Sequence, residues 1–180
     1  VSVAKGRLDI RGRGNSSWGW PKKPFRIKLE KPTEILGMPA SKHWVLLANY
    51  IDKSLIRNDA VFELGRAMEM EYTVKHRHVE LILNGEYRGI YQLTEQIRIE
   101  KNRLDIHKLT HNDIQLPETS GGYLIEVDFR MRKNYCENES TQENNVFCNG
   151  NINTEREKTL CIESQKHMQP FCLKEPNDLF

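Results

Sequence analysis

The sequence predicts a mixed α+β fold in which strands predominate early and at least one sizeable helix follows. Three observations carry that prediction. Short runs alternate apolar and polar residues, an Asn-Gly pair joins two such runs, and the stretch from about Lys53 to Met68 repeats its apolar residues at helical spacing.

Taken in order, residues 1–11 read as a strand. Residues 25–29 alternate, with Phe25, Ile27 and Leu29 on one face and Arg26 and Lys28 on the other. Between them, Asn15-Ser16-Ser17 with Pro21 and Pro24 marks a loop. Residues 37–40 read as a turn, and the apolar run 44–48 as a buried strand. Asp52 is the expected N-cap of a helix over about 53–68, whose core stripe would be Ile56, Ala60, Leu64, Ala67 and Met68. The hairpin is the clearest element, because Asn84-Gly85 separates the alternating runs 78–83 and 86–93. Residues 97–105 are polar and read as a connector. After Gly121-Gly122, residues 123–129 form a strand expected to be central, with Leu124, Glu126 and Asp128 on one face.

From about 130 to 169 the composition turns to Asn, Glu, Lys and Thr with few large apolar residues, the profile of a long insertion. The expected organisation is therefore a core over 1–129, a polar Cys-bearing insertion over 130–169, and the start of a later core strand over 170–180. At 180 residues the chain is long enough for one domain with a real core. No apolar run approaches the roughly 20 residues that span a bilayer, so no transmembrane segment is expected. No leader is visible at Val1, and the numbering is expected to begin after a removed leader or inside a longer protein.

The net charge of +2 hides an asymmetry: residues 1–60 carry 12 Lys/Arg against 5 Asp/Glu, and the remainder 15 against 20. A basic front half suits nucleotides, phosphates or acidic partners, and equally suits a solvated charged face. Nucleic acid is not expected, since no recognised binding motif accompanies the charge. The four cysteines, Cys136, Cys148, Cys161 and Cys172, lie late and form no CxxC pair, which argues against zinc. Two disulfides in any of three connectivities, or four free thiols, both remain open. Of two glycosylation patterns, only Asn138-Glu139-Ser140 is a credible acceptor.

Several residues are placed to carry chemistry. Arg13, Asn15 and Ser16 lie in a loop whose glycines, Gly12 and Gly14, let backbone N–H groups approach an anion. The pattern matches neither a P-loop nor GxGxxG, and an ordinary hairpin loop explains it too. Lys28 sits on a strand, as the lysine that holds the α/β phosphates does in kinases, with Glu63 on the helix a candidate partner. Glu126 and Asp128 share a strand face at the spacing that holds a hard cation such as Mg²⁺. Asp52 is a candidate general base and Asn58 a candidate metal ligand, although a simple N-cap accounts for Asp52 equally well. Arg57 flanks the helix start, and Glu95 is placed to line a nucleotide pocket or close a salt bridge. Trp18, Trp20 and Trp44 read as core.

The blocks IRGRGNSSW, PKKPFRIKL, LGMPASKHWVLLANYIDKSLIRN, VELILNGEYRGIYQLTEQI and GGYLIEVD together resemble the CotH kinase family, named for a spore coat protein. The blocks follow the family order from Ile10 to Asp128, and PFCLKEPNDL resembles the family's later strand. The resemblance implies an atypical protein-kinase-like fold, with a mixed or antiparallel sheet and few helices. It also implies an enzyme that binds ATP with Mg²⁺ or Mn²⁺ and phosphorylates Ser/Thr of coat or secreted proteins, in an extracytoplasmic setting. By matching block, Lys28 resembles the phosphate-binding lysine and Asp128 a metal-binding aspartate of the catalytic set, while Asp52, Arg57 and Asn58 fall in one block whose individual roles stay open. The polar stretch after Asp128 departs from the family. A non-catalytic surface or adhesion module that retains the fold is the alternative.

Overall fold

The chain divides into two units, Val1–Asp105 and Ile106–Phe180, and a computed structural model describes residues 5–110, 112–127, 161–164 and 169–175. In the first unit the elements run β1 (Leu8–Gly12), α1 (Ser16–Gly19), β2 (Phe25–Ile35), β3 (Met38–Leu47), α2 (Arg57–Ala67), β4 (His76–Leu83) and β5 (Glu86–Glu95). The five strands form one antiparallel sheet in the order β1-β2-β3-β5-β4. In the second unit β6 (Leu124–Val127), β7 (Cys161–Ser164) and β8 (Gln169–Glu175) form a three-stranded antiparallel sheet with β8 in the middle. This is the α+β composition the sequence predicts, with few helices among the described residues.

Two hairpins organise the larger sheet, each closed by a two-residue turn. Asn84 (φ 53°) and Gly85 (φ 81°) join β4 to β5 as expected. Leu36 (φ 51°) and Gly37 (φ 74°) join β2 to β3, so the turn lies earlier than 37–40 and Met38 already pairs with Ile35. Positive φ at both positions matches the right-handed twist of the flanking strands. β2 extends well past Leu29 because its register shifts between Lys28 and Thr33, and such an irregularity accommodates Pro32, which cannot donate to the ladder.

Residues directly opposite in an antiparallel ladder share a face, which separates the sheet into two sides. One side carries Phe25, Ile27 and Leu29 with Trp44, Leu46, Tyr91, Leu93 and Val79, and these residues build the core with Met38 and Ala48. The connector 96–105 contributes more than a link: Arg103 is buried, its guanidinium 4.7 Å from the Trp44 ring centroid, and its Nη1 donates to the Gln96 carbonyl. The other side carries Arg26, Lys28, His43, Val45, Gln92, Thr94, His76 and His78. Most of its members are polar.

Helix α2 corrects two expectations. It begins at Arg57 rather than about Lys53, because residues 49–55 fold into tight turns first: the Asp52 N–H donates to the Asn49 carbonyl and the Leu55 N–H to the Asp52 carbonyl. Its expected core stripe is also outward, with Ile56, Leu64 and Met68 exposed. The covered positions are instead Asn58, Asp59, Phe62 and Gly65, again at helical spacing. Gly65 is buried, and a Cβ there would stand 2.9 Å from the Thr73 hydroxyl. Trp18 and Trp20 likewise depart from the core reading. They are 43% and 42% exposed, Trp18 edge-on to Phe25 and Trp20 stacked on Tyr50 at 5.8 Å, whereas Trp44 is fully buried.

Candidate functional site

The loop between β1 and β2 is held from both ends. Arg13 N–H donates to the Pro24 carbonyl, and Trp18 N–H to the Asn15 carbonyl. Gly12 has no alternative, since a Cβ there would collide with the Trp18 ring. Gly14 takes φ 95°, and the following Asn15 precedes the single helical turn of α1, where a plain loop was expected. Arg13, Asn15 and Ser16 are all exposed on this turn. Lys22 and Lys23 close it, Lys22 donating to the Ile90 carbonyl and Lys23 to the Trp18 carbonyl.

Lys28 is exposed in β2, opposite Asp9 on β1 and His43 on β3. Among the described residues it has no ion-pair partner. Charges of both signs surround it, with Asp9 opposite on β1 and the Arg98–Glu100 pair acting on neighbouring His43. The His43 imidazole is held below its usual pKa first by burial, then by Arg98, Lys28 and Arg103, against the opposing pull of Glu100. Glu63 does not meet Lys28; it lies on the outer side of α2 and pairs with Arg66 at 2.7 Å.

The acidic residue that α2 turns toward the sheet is Asp59, which sequence reasoning missed. Its Oδ1 accepts from Gln92 Nε2 at 2.5 Å and lies 2.9 Å from His76 Nε2, and its Oδ2 lies 3.7 Å from His78 Nε2. Gln92, 1% exposed, also accepts from Asn49 Nδ2 (3.1 Å) and from Asn58 Nδ2 (2.9 Å), and Asn58 donates to Asn49 Oδ1 as well. Asn58 therefore lies at the centre of a polar network that fastens α2 to the sheet side bearing Lys28. A glutamine in an otherwise apolar strand run (Ile90 to Leu93) was the available signal for this network.

Asp52 is largely committed to its own turn. Oδ1 accepts from the Ser54 N–H (3.1 Å) and hydroxyl (2.5 Å), and Oδ2 from the Arg57 N–H (3.0 Å). The Ser54 hydroxyl and these backbone donors hold its pKa below the usual carboxylate value. Asp52 thus ties down the first N–H of α2 from five residues upstream, with Ile56 at the N-cap position in its stead. Arg57 is exposed, its Nε 3.6 Å from Asp52. Glu95, 3% exposed, stands opposite Trp44 and so on the side of the sheet away from Lys28. Its Oε2 accepts from the Tyr72 hydroxyl and the Lys75 N–H, each at 3.0 Å. Burial and the adjacent Glu95 push the Tyr72 pKa well up.

In the second unit, Glu126 is partly covered on β6, with Ile125 and Val127 exposed on the alternate face. The alternation agrees with the sequence, but β6 lies at the edge of its sheet among the described strands, not at the centre. Asp128, Asn138, Cys136 and Cys148 lie outside the described residues. Among the described residues no group of three or more His, Cys, Asp or Glu could hold a metal ion, and no helix is long and apolar enough to cross a membrane.

These features define an α+β protein whose first unit presents a polar sheet side bearing Lys28 and a glycine-bearing loop whose Trp18 and Lys22 lie against Phe25 and Tyr91 of the other side. The chain belongs to the CotH family: the profile described as CotH kinase protein matches residues 10–166, most of its length, so the polar stretch after Asp128, expected to depart from the family, lies largely within the match. No curated protein matches it.

Proposed function

We propose that the chain is the nucleotide-binding part of an ATP- and divalent-metal-dependent atypical protein kinase that phosphorylates Ser/Thr of coat or secreted proteins outside the cytoplasm. One observation carries the reading: Lys28 is exposed and has no ion-pair partner among the described residues, on the sheet side that α2 braces. Family membership supports it. The Lys28 ammonium offers a mobile point charge to a phosphate, and the turn around Gly14 offers backbone N–H groups. Arg13, Asn15 and Ser16 extend that turn, and Arg57 adds an exposed cation at the start of α2. In the transfer, the substrate hydroxyl oxygen bonds the γ-phosphorus as the bond to the ADP oxygen breaks, and the hydroxyl proton leaves to a base. Asp52, spent on its turn, is poorly disposed to be that base, and Glu95 contributes by packing rather than by contact.

The described residues fit a phosphate better than a metal. Of the expected metal-binding pair, Glu126 is described in the second unit and Asp128 lies outside the described residues; a Mg²⁺ or Mn²⁺ ion held by that pair would supply charge neutralisation. The second reading, a non-catalytic surface module, draws on Glu63, whose outward pairing with Arg66 leaves Lys28 without the helical carboxylate that kinases use.

Nucleotide-dependent melting tests the proposal. With Mg²⁺ or Mn²⁺ present, ATP at a hundred times its Kd should stabilise the protein by about 2.7 kcal/mol. Lys28→Ala should abolish that shift while leaving the unliganded stability within about 0.5 kcal/mol of the parent, because the side chain is exposed. Labelled ATP then separates the readings: turnover lost in Asp128→Ala supports the kinase, binding without turnover supports the surface module, and absence of both sinks the nucleotide reading.

A further inference from the structure

In the second unit, the register sets Cys172 of β8 opposite Cys161 of β7 on one side and opposite Glu126 of β6 on the other. The three positions form one row across the sheet and share a face. Pro170 fixes the kind of pair. It has no N–H to donate, so Glu163 and Pro170, which stand opposite, do not exchange the two hydrogen bonds of a hydrogen-bonded pair. Pair types alternate along an antiparallel ladder, and Cys161–Cys172 lies two positions further along. It is therefore a non-hydrogen-bonded pair, the type whose Cα atoms approach to about 4.5 Å. That separation falls within the roughly 4.4–6.8 Å that disulfides span.

We propose that Cys161 and Cys172 form a cross-strand disulfide that clamps β7 to β8. The juxtaposition of the two positions in register selects one pairing for these cysteines from those that composition leaves open. Formation needs an oxidant, and a small-molecule disulfide suffices. Each cysteine gives up one proton, the thiols together give up two electrons to form one S–S bond, and the oxidant is released as two thiols. The clamp lies in the same row as Glu126, so its redox state bears on the strand that pairs with the Glu126 position. The proposal does not depend on the kinase reading.

The tryptic cleavage points suit the test, because Lys158, Lys166 and Lys174 leave Cys161 in peptide 159–166 and Cys172 in peptide 167–174. The full chain is equilibrated with a mixture of oxidised and reduced glutathione, free thiols are blocked with a maleimide, and the protein is digested without reduction. The expected product is 159–166 joined to 167–174, lighter by two hydrogens than the two peptides and separated by reductant. In Cys161→Ser, Cys172 should become open to the maleimide. The proposal is overturned if both peptides carry the maleimide in the parent protein. It is equally overturned if Cys172 is recovered joined to Cys136 or Cys148, in the parent or in Cys161→Ser.

Discussion

His76 shows how a single side chain ties stability to pH. Its Nε2 faces Asp59 at 2.9 Å, while Nδ1 is buried and meets no hydrogen-bond partner. A neutral ring with its proton on Nε2 satisfies that arrangement; a second proton would bury an N–H donor with nothing to receive it. Burial accordingly lowers the His76 pKa below 6.5, outweighing the pull of Asp59, and burial lowers His43 in the same direction. The unfolded chain then binds more protons than the folded one between the folded pKa and 6.5, so stability rises with pH across that window. The Tm of the protein should fall as pH is taken down through 6.5, and His76→Gln, which keeps an N–H for Asp59, should flatten the fall. An unchanged slope in that variant would remove His76 from the account. Lys28 and its strand face were legible in the sequence because alternation alone places them. Asp59, Gln92 and Asn49 were not, since nothing local in a sequence marks which polar side chains will meet across two elements.

At the scale of elements, the two hairpin turns make a matched pair with one mismatch. Asn84-Gly85 was readable because asparagine and glycine tolerate positive φ, while Leu36-Gly37 hid its turn behind a leucine that does so only under strain. Leu36 is 55% exposed, so little packing holds it there. Leu36→Asn should therefore stabilise the first unit by about 0.5–1 kcal/mol, read as a higher midpoint in urea at unchanged slope. A lower midpoint would mean that the leucine side chain contributes packing. Helix α2 was legible as a helix and illegible in its orientation. Apolar periodicity marks a stripe and assumes that the stripe faces inward. The sheet side it meets holds Gln92, His76 and His78, and the polar stripe of Asn58 and Asp59 is the one that matches.

For the whole molecule, the family profile runs across both units, and the blocks that revealed the family lie mostly in the first. Long-range pairing explains what stayed hidden. The row that joins Glu126, Cys172 and Cys161 brings β6 to the β7–β8 pair from much further along the chain; a strand was expected where β8 lies, but the polar composition that read as an insertion over 130–169 hid β7. Trp44 has a practical consequence for following such a molecule. All three tryptophans fall in the first unit, and Trp44 alone among them is sealed from water beneath Arg103. Indole emission should therefore shift to longer wavelength only when the first unit opens. Chemical denaturation watched by that emission would pass over melting of the second unit, where an amide-exchange or circular dichroism trace would register it. Two optical probes thus report separately, in one titration, on the five-stranded sheet and on the cysteine-bearing one.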